Sequence, residues 1–205
     1  MKRLVLQMQM SVDGFVGGDV PHDWQVWDWG SDCPWDADLK RDFNVFFQTI
    51  DTILLSRKMA EEGYLNHWAG AAKRFPEDRF YAFAQKITQV QKVVLSSKLE
   101  NSRWERTTVG RGDLPREVDV IKRGSGGNIA VFGGVGFASA LIAADLVDEY
   151  QFFINPAALG SGQRLFAQTG FRRLKLLGSK SYDCGIVVDR YTPAGSSQCQ
   201  PEVDA

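Results

Sequence analysis

The chain has 205 residues, 44% hydrophobic and 24% charged, with a formal net charge of −1. That length can bury one good core, while the near-neutral balance gives no field that would gather nucleic acid or an anionic membrane. Three scattered cysteines, two histidines and the lack of a CxxC pair exclude a disulfide framework and a zinc site and point to a reducing cytoplasm.

The first residues, MKRLVLQMQM, hold too short an apolar run for a signal peptide, and no apolar run reaches the length of a membrane span. Alternation of Gln7 and Gln9 with Met8 and Met10 predicts a strand over 3–10. Residues 11–35 predict a long loop broken by Gly14, Gly17, Gly18, Pro21, Gly30 and Pro34. Its tryptophans (Trp24, Trp27, Trp29 and Trp35) argue for order. They would stack on a heterocyclic ligand, or serve as core or as a dimer contact.

Phe43, Phe46, Phe47 and Ile50 fall at i, i+3, i+4 and i+7, one face of a helix capped by Asp36 or Asp38. Thr52 to Leu55 predict a buried strand, 57–68 a second helix, and Pro76 the start of a third with Glu77 and Asp78 in its first turn. Lys92 to Leu95 predict a strand that ends in Ser96-Ser97. Then come an amphipathic helix over 113–123, a strand over 128–132, a helix over 135–144 and a strand over 149–154. Runs 171–180 and 185–191 predict an antiparallel pair, and 194–205 a frayed tail. Strand and helix alternate until the final strands. The expected fold is therefore an α/β domain over 1–193, with a mainly parallel sheet, helices on both faces and an antiparallel C-terminal edge.

The turn Gly133-Gly134-Val135-Gly136 joins a strand to a helix. Ligands of open parallel sheets bind beyond the carboxyl ends of the strands, and a helix start favours anions. The glycines either cradle a phosphate or merely permit a tight turn. A GxGxxG fingerprint fails at Ser139, and a P-loop fails because Gly-Phe-Ala occupies 136–138. The acids Asp23, Asp28, Asp32, Asp36 and Asp38 lack EF-hand spacing, so no metal site is expected. Gly160-Ser161-Gly162 has the form of a phosphate nest. No GxSxG elbow points to hydrolase chemistry.

Polar clusters follow the strands in order: MSVDGFVGG at 10–18, DTILLSRKM at 51–59, VVLSS at 93–97, the glycine turn, and LVDEYQFFINPAALGSGQRLF at 146–166. In this order, and above all in the GGxG, L-V-D-E and P-x-x-x-G-x-G-x-x-L-F segments between Asn128 and Phe166, the chain resembles the dihydrofolate reductase-like superfamily. It most resembles the reductase domain at the C-terminus of the bifunctional riboflavin-biosynthesis deaminase/reductase, as a stand-alone member without the deaminase zinc motif. The resemblance spans about 3–191 and implies a three-layer sandwich that binds NADPH.

By that resemblance Gly133, Gly134, Val135, Gly136 and Phe137 hold the pyrophosphate. Arg57, flanked by Ser56 and Lys58, meets the adenosine 2′-phosphate, with Ser96, Ser97 and Lys98 nearby. On residues alone, Arg57 also reads as a solvated helix end. The family's usual Gly-Arg-x-Thr-Tyr is Ser56-Arg57-Lys58-Met59-Ala60 here. Ser11, Val12, Asp13 and Gly14 match a turn beside the nicotinamide, with Gly17 and Gly18 letting the next loop close. Asp13 bonds either substrate or its own turn. Asp38 or Asp42 would stand where dihydrofolate reductases carry an acid, or act as a cap and a solvated residue. Trp35, Gly160 and Gly162 fall near the substrate mouth. The resemblance implies a homodimer and a small heterocyclic substrate, a ribosylaminopyrimidine phosphate in the pathway enzyme. The alternatives are dihydrofolate or pterin reduction, and a dinucleotide-binding protein without turnover.

Overall fold

The computed structural model describes residues 1–17, 24–25, 34–102 and 104–195. Their strands are β1 (Leu4–Ser11), β2 (Ile50–Ser56), β3 (Gln91–Leu95), β4 (Thr107–Gly110), β5 (Asn128–Phe132), β6 (Glu149–Asn155), β7 (Leu174–Ser181) and β8 (Val187–Pro193). They form one sheet in the order β4-β3-β2-β5-β1-β6-β8-β7. The pairs from β4 through to β6 are parallel. β8 lies antiparallel to both β6 and β7. This is the mainly parallel α/β sheet with an antiparallel edge that the sequence predicts.

The helices are α1 (Ala37–Gln48), α2 (Arg57–Glu61), α3 (Tyr64–Arg74), α4 (Ala82–Gln89), α5 (Leu114–Arg123) and α6 (Val135–Ala143). One face of the sheet, with Ile53, Leu55, Val94 and Ala130, packs on Phe47 of α1, Leu65 of α3 and Phe83 and Ile87 of α4. The other, with Leu4, Leu6, Leu54, Ile129 and Val131, packs on Val118 of α5 and Leu141 and Ile142 of α6. Strands covered on both faces read as apolar runs rather than alternations, which is why 52–55 and 129–131 carry no polar residue except Thr52.

Two expected elements differ and one element is unexpected. The helix over 57–68 is broken after Glu62, because Gly63 takes φ +100° and restarts the chain as α3. The helix expected from Pro76 begins later: Asp78 accepts a hydrogen bond from Phe80 N and caps a 3₁₀ turn at Arg79–Tyr81, and α4 follows. Strand β4 was not expected and exists by pairing with β3. Gly18, Trp27, Trp29, Asp23, Asp28 and Asp32 lie outside the described residues, as does the tail from 196 onward.

Candidate functional site

Because β1, β2, β3, β5 and β6 are parallel, their carboxyl ends share one edge, and Ser11, Ser56, Leu95, Phe132 and Asn155 end there. The glycine turn sits at its middle. Gly134 is the N-cap of α6, with φ −70° and ψ 171° and no capping side chain. Its carbonyl accepts from Phe137 N and Ala138 N at 3.0 and 3.1 Å. The first-turn N–H groups of such a helix have no intrahelical acceptor and point outward.

The glycines divide the two readings between them. A Cβ on Gly133 would lie 2.6 Å from Phe137 Cδ1 and 3.1 Å from Ser56 Cβ, so that glycine serves packing. Among the described residues, a Cβ on Gly134 or Gly136 would meet no atom within 4 Å. Gly134 has a backbone angle that any residue adopts. Among the described residues no side chain packs against that N-cap, and the open space in front of the free N–H groups fits an anion. The residues present therefore fit a dinucleotide pyrophosphate.

That space continues as a groove of about 920 Å³ between the first turns of α6 and the segment 162–169, reaching Ser56 and Lys58. It brings together Ser56, Lys58, Gly134, Val135, Gly136, Phe137 and Gly162. Arg57, Ser96 and Ser97 stand outside its walls. Arg57 Nη1 pairs with Glu61 Oε2 one turn along α2, and Lys58 Nζ lies 3.5 Å from Glu62 Oε1. Ser56 Oγ accepts from Met59 N at 3.2 Å. Ser96 Oγ accepts from Lys98 N and Leu99 N, both at 3.0 Å. The second wall, from Gly162 to Thr169, was missed as a unit in the sequence, where its signal was the G-x-x-L-F run. Ser139 Oγ donates to Leu165 O at 2.7 Å and ties this wall to α6. A dinucleotide fingerprint would want glycine at that position.

Beside the groove, Asp13 forms a clip. Ser11 Oγ donates to its Oδ1 at 2.5 Å, and Gly160 N and Leu159 N donate to the carboxylate at 2.7 and 3.1 Å. Val12 N donates to Ala157 O, and Gly17 and Gln163 form an isolated bridge. Gly14, Gly160 and Gly162 all take positive φ, which these tight turns require. Val12, Asp13, Gly14, Gly17, Gly160 and Gly162 thus converge on one clipped loop pair. The Ser11 hydroxyl, then the amides of Gly160 and Leu159, pull the Asp13 carboxyl down to about 2. With a depressed native value, the clip's electrostatic support is full above the ordinary carboxylate range near 4 and is lost as pH falls through about 2. A carboxyl NMR titration should follow this low transition at Asp13, and an ordinary midpoint near 4 would refute the clip.

The N-terminal turn of α1 follows Trp35 and Asp36. Trp35 stacks on Phe153 at 5.5 Å and 8° and meets Phe43 edge-on at 5.1 Å. Asp36 is the cap: it accepts from Leu39 N at 2.8 Å and from Cys184 N at 3.0 Å. Asp38 is exposed and pairs with Arg41. Asp42 accepts from Tyr182 Oη at 3.0 Å and pairs with Lys180 and Arg41. It borders a separate cleft of about 460 Å³ between α1 and the faces of β1, β6 and β8. Leu39, between the two acids, is buried. Among the described residues no three His, Cys, Asp or Glu side chains gather where a metal could bind, and no helix is long and apolar enough to cross a membrane.

Comparison with known proteins gives a consistent picture. The family model of the RibD C-terminal domain matches residues 2–188. The chain is 27% identical to the protein YyaP of Bacillus subtilis (strain 168) over 187 residues, 91% of this chain and 92% of that one. Among solved structures it resembles a diaminohydroxyphosphoribosylaminopyrimidine deaminase/5-amino-6-(5-phosphoribosylamino)uracil reductase from Thermotoga maritima. That match has TM-score 0.60 and 14% identity, and it covers 94% of this chain and 57% of the other. It also resembles a dihydrofolate reductase from Enterococcus faecalis complexed with NADP(H), with TM-score 0.53 and 13% identity, over 93% and 96% of the two chains. These structural likenesses carry the fold.

Proposed function

Since the chain belongs to the RibD C-terminal domain family, we propose that it is an NADPH-dependent reductase of a small heterocycle. By resemblance, the substrate is 5-amino-6-(5-phosphoribosylamino)uracil or a close relative. Residues 1–193 act as one reductase domain, and the resemblance further implies a cytoplasmic homodimer. The observation that carries the reading is the space that the described residues leave open before Gly134 and Gly136 at the head of α6.

NADPH, when bound, supplies the hydride. The protein's part is then binding, alignment and exclusion of water. The N–H groups of Val135 and Gly136 would face the pyrophosphate, with Phe137 and Gly133 packing beneath. Ser56, Arg57 and Lys58 would meet the 2′-phosphate, whose charge suits a planar guanidinium and an ammonium, and Ser96 and Ser97 would border the adenosine. The Asp13 clip, with Val12 and Gly14, holds the loop wall against Gly160 and Gly162. Ionised at neutral pH, Asp13 is a positioning carboxylate rather than an acid. Trp35 is an apolar plug between α1 and β6 that keeps the substrate end dry.

Folate or pterin reduction would need a free carboxyl turned to the heterocycle. Asp38 and Asp42 are both engaged in ion pairs and Leu39 lies buried between them, which favours the pyrimidine reading. Paired titrations with NADPH and NADH, followed by tryptophan quenching and thermal shift, test the assignment. NADPH should bind in preference, and the pyrimidine substrate should then oxidise it. Failure of both nucleotides to bind would overturn the reading. Tight binding without turnover on any heterocycle would favour a dinucleotide-binding protein that is not an enzyme.

A further inference from the structure

The short helix α2 carries its charges in an order that helix stability does not select. Arg57 and Lys58 occupy its first two positions, and Glu61 and Glu62 its last position and C-cap. Helix ends favour acids at the start and bases at the finish, and an i,i+4 pair is stronger with the acid first. Here each base comes first: Arg57 pairs with Glu61 and Lys58 with Glu62. Both pairs are solvent-accessible, with side-chain exposures of 37% and 35% for the first and 81% and 58% for the second. Such pairs contribute little to stability. They do decide what an incoming anion meets. Lys58 lines the groove of Gly134 and Gly136, and Arg57 directly precedes it in the chain but is turned to its own glutamate.

We propose that Glu61, with Glu62 in a lesser role, is a built-in counter-ion that sets how strongly this protein prefers a 2′-phosphorylated dinucleotide. The inference rests on the reading of the groove as a dinucleotide site. A 2′-phosphate carries about two negative charges at neutral pH. It must draw Arg57 from Glu61 and sit near a carboxylate that repels it. A 2′-hydroxyl does neither. The glutamates therefore lower the affinity for NADPH and leave that for NADH untouched. They narrow the selectivity that two adjacent cations would otherwise give.

The test measures dissociation constants for NADPH and NADH in the full chain and in Glu61→Gln, Glu62→Gln and Arg57→Gln, with circular dichroism as a fold check. Glu61→Gln should tighten NADPH by roughly two- to fivefold with NADH unchanged, and Glu62→Gln should do so less. The gain should fade at high salt, because exposed charges are screened. In an Arg57→Gln background, Glu61→Gln should lose most of its effect, as a counter-ion acting through Arg57 must. An unchanged NADPH-to-NADH ratio in both glutamate variants, or equal shifts for the two nucleotides, overturns the proposal while leaving the cofactor assignment intact. If the wild-type chain binds neither nucleotide, the cofactor reading fails and this inference fails with it.

Discussion

Gly134→Val is expected to weaken NADPH binding by roughly ten- to a hundredfold, the range that overpacking a well-fitted site costs. The same change should lower the thermal midpoint by only about 2–4 °C, the shift expected from roughly 1 kcal/mol lost when valine replaces glycine at an N-cap. The reasoning rests on what surrounds the residue. Its φ of −70° and ψ of 171° are sterically open to valine, and an added Cβ meets no atom of the described residues within 4 Å. None of the described residues would meet the new methyls, whereas a ligand in the groove would. Gly133→Ala is the control in the opposite sense. Its Cβ would press on Phe137 and Ser56, so it should destabilise the fold by about 1–3 kcal/mol. Calorimetry of both variants beside NADPH titrations separates the two roles. If Gly134→Val binds NADPH as wild type does, the space before α6 is not the pyrophosphate site. If it unfolds instead, the glycine belongs to the turn.

The edge of the sheet was legible in the sequence because parallel strands all emerge on one side. Hydroxyls, glycines and bases placed just after apolar runs must then gather there, and Ser56, Lys58 and Gly134 to Phe137 do line one groove. The clip was half legible. Ser-x-Asp-Gly announced a turn, but the partners of Asp13 at Leu159 and Gly160 lie 146 and 147 residues away, beyond any local pattern. The helix expected over 57–68 spans Gly63, and only that residue's φ of +100° makes it a break. β4, with Val109 as its one large apolar residue, is a strand only because β3 offers it hydrogen bonds. The caps of α1 were ambiguous between Asp36 and Asp38, since either spacing serves. In the structure Asp36 is the cap, accepting from Leu39 N, and its second oxygen accepts from Cys184 N of the far hairpin.

Lys92→Met should lower stability by about 3 kcal/mol and the thermal midpoint by roughly 10 °C, the largest stability effect expected here from one side chain. Sequence alone places Lys92 at the start of a strand and does not say what holds it. It is only 3% exposed, and its ammonium donates to Ile87 O at 2.9 Å, Thr88 O at 3.2 Å and Val90 O at 2.9 Å. These carbonyls belong to the last turn of α4 and its exit, where a helix leaves acceptors unpaired. Burial pushes the Lys92 amine below its ordinary range, with Arg106 adding repulsion. The three charge-assisted bonds must therefore offset that desolvation. Methionine keeps most of the aliphatic stem's volume but removes the donors, so the loss is chiefly that of the carbonyl bonds and not a cavity. Because Lys92 lies in β3, loosening it should also blur the strand that carries Ser96 and Ser97 to the edge. Denaturant melts of Lys92→Met and Lys92→Arg decide the matter. Arginine, with its donors retained, should recover part of the loss; if methionine is as stable as wild type, the ammonium is not holding α4 to β3.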